Sequence, residues 1–177
     1  MKKAIIIFLT ILSSLLATIV NAQEMNNEKL ETILKVVSDS IVGQKGAWQF
    51  KINERIFMCV TDENHNRMRI MSPILKQNEL KQEDLTRSLE ANFHTALDVK
   101  YALSNEILWS VYIHPLKELS ELQVKDAVSQ VYFAALTYGT TFSSTDLVFP
   151  GSQKGELVND DEPKEKFIDI DLLRKKN

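Results

Sequence analysis

The stretch AWQFKINERIFMCVTDENHNRMRIM, residues 47–71, decides how this chain folds. Apolar and polar residues alternate along it in three short runs, and a period of two marks strands with one face turned to a core. In 47–52, Trp48, Phe50 and Ile52 share a side, with Gln49 and Lys51 opposite. Asn53 and Glu54 make a tight turn. Over 55–61, Ile56, Met58 and Val60 form one face, and Phe57 and Cys59 the other. After the polar run 62–66 the chain resumes as RMRIM, with Met68 and Ile70 inward and Arg67, Arg69 and Met71 outward. Pro73 cannot donate to a ladder and bars a central strand from running far past it. Three such runs joined by short polar turns read as an antiparallel meander.

Helical spacing flanks the meander. Over 26–42, Leu30, Ile33, Leu34, Val37 and Ile41 recur every three or four residues, with Asn26 or Asn27 as cap and Gly43 as terminator. A second helix, 81–97, carries Leu85, Leu89, Phe93, Ala96 and Leu97 on one side. Two more strands follow. Val99, Tyr101 and Leu103 alternate with Lys100, Ala102 and Ser104; Ile107, Trp109, Val111 and Ile113 alternate with Leu108, Ser110 and Tyr112. Ser120 and Gln123 have capping-box spacing, and the last helix runs through Leu122, Ala127, Val128, Val131, Ala135 and Leu136 to Gly139. The order α-β-β-β-α-β-β-α predicts an α+β fold, a five-stranded antiparallel sheet packed by helices.

The chain has 177 residues, 44% hydrophobic and 25% charged, which fits one globular domain and excludes wholesale disorder. Lys2 and Lys3, the apolar run 4–20 and the small residues of Val20, Asn21 and Ala22 make residues 1–22 a secretory signal peptide. Cleavage is expected between Ala22 and Gln23, leaving no stable membrane anchor; an uncleaved anchor is the alternative reading. Residue 23 is not cysteine, so lipoprotein processing is not indicated. Removing two lysines and no acid takes the formal charge from −3 to −5, which favours neither nucleic acid nor anionic lipid. The mature chain is expected in the periplasm or outside the cell, with a domain over 23–146 and a flexible charged tail over 147–177. Within that tail, Ile168, Ile170 and Leu172 alternate with Asp169 and Asp171, a pattern able to add an edge strand to this sheet or to a partner's.

Catalytic signals are weak. His65, His94 and His114 lack a second His or Cys at ligand spacing, and no nucleophile elbow or Gly-rich phosphate loop is present. Asp62, Glu63 and His65 could serve a small metal site or envelope enzyme, but adjacent residues on a tight turn rarely converge on one point. The acidic clusters at 160–162 and at Asp169 and Asp171 lack the spacing of a calcium loop. No cofactor is expected, and an enzyme is not. With one cysteine there is no internal disulfide; Cys59 reads as a small buried residue rather than a thiol awaiting a partner.

The strand facing is more informative. With Trp48, Phe50, Ile56, Met58, Val60, Met68, Ile70, Tyr101, Leu103, Trp109 and Val111 towards the helices, the period of two puts Lys51, Phe57, Cys59, Arg67, Arg69, Met71, Lys100, Leu108 and Tyr112 on the outer face. Aromatic, Met, Leu and Arg side chains together resemble an interface, for a protein or peptide partner or a second copy. Lys51, Lys100, Arg67 and Arg69 would alternatively form a shallow basic patch for a small acidic ligand.

The element order and the block LEANFHTALDVKYALSNEILWSVYIHPL, 89–116, resemble the type III secretion chaperone-like superfamily, which includes the CesT-type effector chaperones and YbjN-like proteins. The resemblance covers roughly residues 26–142. It implies a non-enzymatic binding domain, commonly a homodimer, that holds an extended segment along hydrophobic patches and strand edges. Those chaperones act in the cytoplasm, whereas residues 1–22 here direct export, so effector loading is not what this chain is expected to do.

Overall fold

The computed structural model describes residues 24–145; the expected signal peptide over 1–22, its cleavage site and nearly all of the expected tail over 147–177 lie outside the described residues. The elements are α1 (Asn27–Val37), β1 (Ser40–Gln44), β2 (Ala47–Ile52), β3 (Arg55–Asp62), β4 (Arg67–Lys76), a single 3-10 turn (Gln77–Glu79), α2 (Gln82–His94), β5 (Lys100–Ser104), β6 (Ile107–His114) and α3 (Glu121–Leu136). All strand pairs are antiparallel, in the order β1-β2-β3-β4-β6-β5. The α+β class stands, but the sheet has six strands rather than five.

The extra strand is β1. Asn26 caps α1 through its side chain, and the helix stops at Val37, where Ser38 turns extended and both its N–H and its hydroxyl donate to Leu34 O. Ile41, four residues after Val37, extends the helical stripe on paper, yet it pairs with Phe50 in the sheet. Gly43 is therefore not a helix terminator. It sits in β1 at φ +132°, where a Cβ would fall 2.3 Å from Ala47 O. The turn that follows is Lys45 and Gly46, between the paired Gln44 and Ala47.

Beyond Met58↔Met71 no β3 partner is registered with β4, yet β4 runs on to Lys76 beside β6, through an irregularity between Pro73 and Leu75. Pro73 thus interrupts nothing: its missing N–H falls where the β3 ladder has already ended.

The three α-helices of the described residues lie around the sheet: α3 over β4 and β6, α1 on α3 and β1, and α2 on the β5 side. Phe50 and Phe57 stack in the core, and Phe57 stacks in turn on Tyr132 of α3. Two sheet hydroxyls tie α3 down: Ser110 donates to Val131 O (3.0 Å) and Tyr101 to Ala134 O (2.8 Å).

Sheet facing departs from the expected one, and the hairpins say why. A two-residue turn makes its flanking residues a cross-strand pair, and paired residues share a face. Ile52 pairs with Arg55 around Asn53 and Glu54, both at positive φ, so the even residues of β2 share a face with the odd residues of β3. Phe57 and Cys59 are buried under the helices, while Ile56, Met58 and Val60 point outward. The same arithmetic holds at Asn105 and Glu106, where Ser104 pairs with Ile107. Leu108 and Tyr112 are therefore core residues, and Trp109 and Val111 lie on the outer face. Of the nine residues expected outside, Lys51, Arg67, Arg69, Met71 and Lys100 are there; Phe57, Cys59, Leu108 and Tyr112 are not.

Helix α2 holds another departure. Its buried residues are Ser88 and Ala91, and the stripe of Leu89 and Phe93 faces solvent, Phe93 with 82% of its surface exposed.

Candidate binding surface

Cross-strand register lays the outer face out in rows. The central row runs Val42, Gln49, Met58, Met71, Val111, Lys100. On one side of it lie Lys51 paired with Ile56, and Pro73 paired with Trp109 and through it with Ala102. On the other lie Ala47, Val60, Arg69 and Ile113. Val42 is 65% exposed and Ile113 55%, with Ile56 and Val60 also exposed and Met58, Met71 and Trp109 half-buried. Val111, in the same central row, is buried, with 9% of its surface exposed. The face is thus more apolar than the mixed set first expected there, because the same parity that removes Phe57 and Leu108 brings in six aliphatic and aromatic residues.

The charges on this face are mostly positive. Arg69 stands between Val60 and Ile113, and its guanidinium has no hydrogen bond or ion pair among the described residues. Arg67 lies opposite Asp62 and donates from Nη1 to Asn66 O (3.0 Å). Lys51 reaches Glu54 at 3.7 Å, an exposed pair worth little. Lys100 is tied back to α2, donating to the carbonyls of Asn92 (2.9 Å) and Leu97, and partial burial lowers its ammonium below the ordinary lysine range.

The turn at 62–66 is a structural junction. His65 N–H donates to Asp62 Oδ1 (3.0 Å) and its ring Nδ1 lies 2.7 Å from Oδ2; these bonds hold the Asp62 carboxyl below its usual range. Glu63 turns away to accept from the N–H of Asn27 at the start of α1. Asn66 bonds the Glu118 carboxylate and accepts from Lys117 N–H (2.8 Å). The three candidate ligands therefore do not converge: Asp62 and His65 close the turn and Glu63 anchors a helix. Among the described residues no group of three or more His, Cys, Asp or Glu is placed to hold a metal ion.

Cys59 lies in the core between Trp48 and Ile70, and burial pushes its thiol up to about 12. It is not part of any surface.

The two sheet edges differ. Hydrogen-bonded and non-bonded pairs alternate from Ser104 and Ile107, which turns the N–H and C=O of Tyr101 and Leu103 to the free side of β5. At Tyr101 both groups are taken by one side chain: Asn92 Oδ1 accepts from Tyr101 N–H (2.7 Å) and Asn92 Nδ2 donates to Tyr101 O (3.1 Å). The same alternation from Gln44 and Ala47 turns Ile41 and Gly43 outward on β1, where no such plug is present among the described residues. Asn92 was not singled out by the sequence; no local pattern marks an amide that serves a strand nine residues on.

An antiparallel sheet with helices packed on one face and apolar side chains on the other is an α+β fold with one open sheet face. That fold is shared with a chain of the solved HopA1-SchA chaperone-effector complex, at 13% identity and a TM-score of 0.50, over 63% of this chain and 94% of that one. No protein-family model matches the sequence, and no curated protein matches it.

Proposed function

We propose that this protein is a non-enzymatic, chaperone-like module that binds an extended apolar segment of another protein across its outer sheet face. The observation that carries this reading is the apolar group on that face: Ile56, Val60 and Ile113 exposed around the half-buried Met58, Met71 and Trp109, with Val111 buried among them. The solvent side of an antiparallel sheet ordinarily alternates to polar residues, and a contiguous apolar patch rimmed by polar groups marks an interaction site. Two methionines at its centre suit a segment of variable shape. The fold shared with a chain of a chaperone-effector complex supports the same reading.

Two finer parts belong to the proposal. The exposed stripe of Leu89 and Phe93 on α2 makes a second copy of the chain the natural occupant of that separate surface. Residues 1–22 send the mature chain, beginning at Gln23, to the periplasm or beyond.

A photoreactive residue at position 113 in cells tests the main claim. Partner capture at that site, abolished by Val60→Asp at unchanged melting temperature, is the expected result. Capture insensitive to Val60→Asp, or none from 113 while an equivalent probe at Glu90 captures the same protein, would move the site elsewhere.

A further inference from the structure

We infer that the partner segment on the outer face carries carboxylates at even spacing from its apolar residues, and that Arg69 and Arg67 receive them; this names the chemistry of the occupant and rests on the reading of that face given above. The outward residues of β4 form one line, Arg67, Arg69, Met71 and Pro73. Cross-strand register sets Val60 and Ile113 on either side of Arg69, and Met58 and Val111 on either side of Met71. The line therefore changes from basic to apolar between 69 and 71, while the strands beside it stay apolar.

The position of Arg69 carries the argument. Val60 and Ile113 are exposed, and so is Arg69 between them. A chain that covers these two apolar residues also covers the guanidinium, and taking an unpaired charge out of water is strongly unfavourable. Among the described residues nothing is placed to neutralise it. The Arg69 guanidinium has no hydrogen bond or ion pair there, and Asp62, opposite Arg67 in the ladder, has both carboxylate oxygens bonded to His65. The occupant has to bring the anion. A carboxylate meets a guanidinium through parallel N–H···O bonds, which fixes register as well as charge.

The spacing follows from the strand period. Outward residues of β4 stand about 6.6 Å apart, and an extended segment lying along β4 presents every second residue to it at the same repeat. Apolar residues at two alternate positions meet Pro73 and Met71, and acids at the next two meet Arg69 and Arg67. An acid at an odd spacing from the apolar residues points away from the sheet and leaves Arg69 unpaired.

The test titrates the full chain from Gln23 with fluorescent peptides of identical composition. Val-Thr-Val-Thr-Glu-Thr-Glu, or the same order reversed, is expected to bind several-fold tighter than Val-Glu-Val-Glu-Thr-Thr-Thr. Arg69→Glu should weaken the first peptide by about tenfold or more at unchanged melting temperature, and lysines in place of its glutamates should restore binding to the variant. If Arg69→Glu does not fold, Arg69→Gln gives the same readout of weakened binding. Equal affinity for the two peptides, no binding up to millimolar concentration, or indifference to Arg69 would overturn the inference. Displacement by inorganic tripolyphosphate as readily as by peptide would also overturn it, in favour of a small acidic ligand. Partner capture through position 113 is read separately: capture that survives Arg69→Glu removes this inference and leaves the binding module standing.

Discussion

Phe50 and Phe57 face one another across the β2–β3 hairpin, ring centroids 5.1 Å apart and 13° from parallel, both almost wholly buried. That one pair sets which residues of β3 are core. Phe57→Ala should cost about 3–5 kcal/mol, measured by denaturant unfolding, because it empties a packed site against Tyr132 as well. A loss below about 1 kcal/mol would return Phe57 to the surface.

Ile113→Asp is the surface counterpart. The side chain is more than half exposed on the outer face, so unfolding free energy should change by no more than about 0.5 kcal/mol while partner capture is lost. Loss of stability together with binding would show that this face is supporting the core.

Removing the Asn92 amide should expose the backbone of Tyr101. Asn92→Ala forfeits two partly buried hydrogen bonds, about 1–2 kcal/mol in all. It also opens the β5 edge, so thioflavin-positive aggregation should rise on prolonged incubation. Unchanged stability and aggregation would mean that the edge is protected by α2 as a whole.

Alkaline pH should destabilise the fold through groups with raised pKa. Burial holds the Cys59 thiol up to about 12 from an ordinary 9.0, and the Tyr101 hydroxyl up to about 12 from 10.0. Between those values the unfolded chain has released protons that the folded chain keeps, so stability is full below about pH 9 and falls towards pH 12. Cys59→Ala should flatten the first part of that decline in denaturation midpoints. A thiol-specific reagent at neutral pH should react with Cys59 only after unfolding.

Phe93→Glu should leave the monomer's stability within about 0.5 kcal/mol, since the ring is largely in solvent. If α2 joins two copies, light scattering should fall from a dimer mass to a monomer mass. A mass that is monomeric before the change would remove the dimer.

The alternation of 47–52 and 55–61 made the strands legible, and the Ser120 and Gln123 box placed the start of α3. What the alternation alone could not supply was which side of each strand is inside, because Phe57 and Cys59 on one side are as apolar as Ile56 and Val60 on the other. The two-residue turn at Asn53 and Glu54 does hold that answer, since it forces Ile52 opposite Arg55. β1 was hidden for a different reason: Ile41 fits a helical step from Val37 as well as a strand, and only pairing with Phe50 separates the two. The outward stripe of α2 was not legible either, because spacing shows that Leu89 and Phe93 share a side and not which side meets the sheet.

The carboxamide of Asn92 has a consequence for how copies of this molecule can associate. It satisfies the outward N–H and C=O of Tyr101, while those of Leu103 on β5 and of Ile41 and Gly43 on β1 have no such partner among the described residues. A strand arriving at β5 meets a ladder interrupted at Tyr101, so an added strand pairs more readily along β1 than along β5.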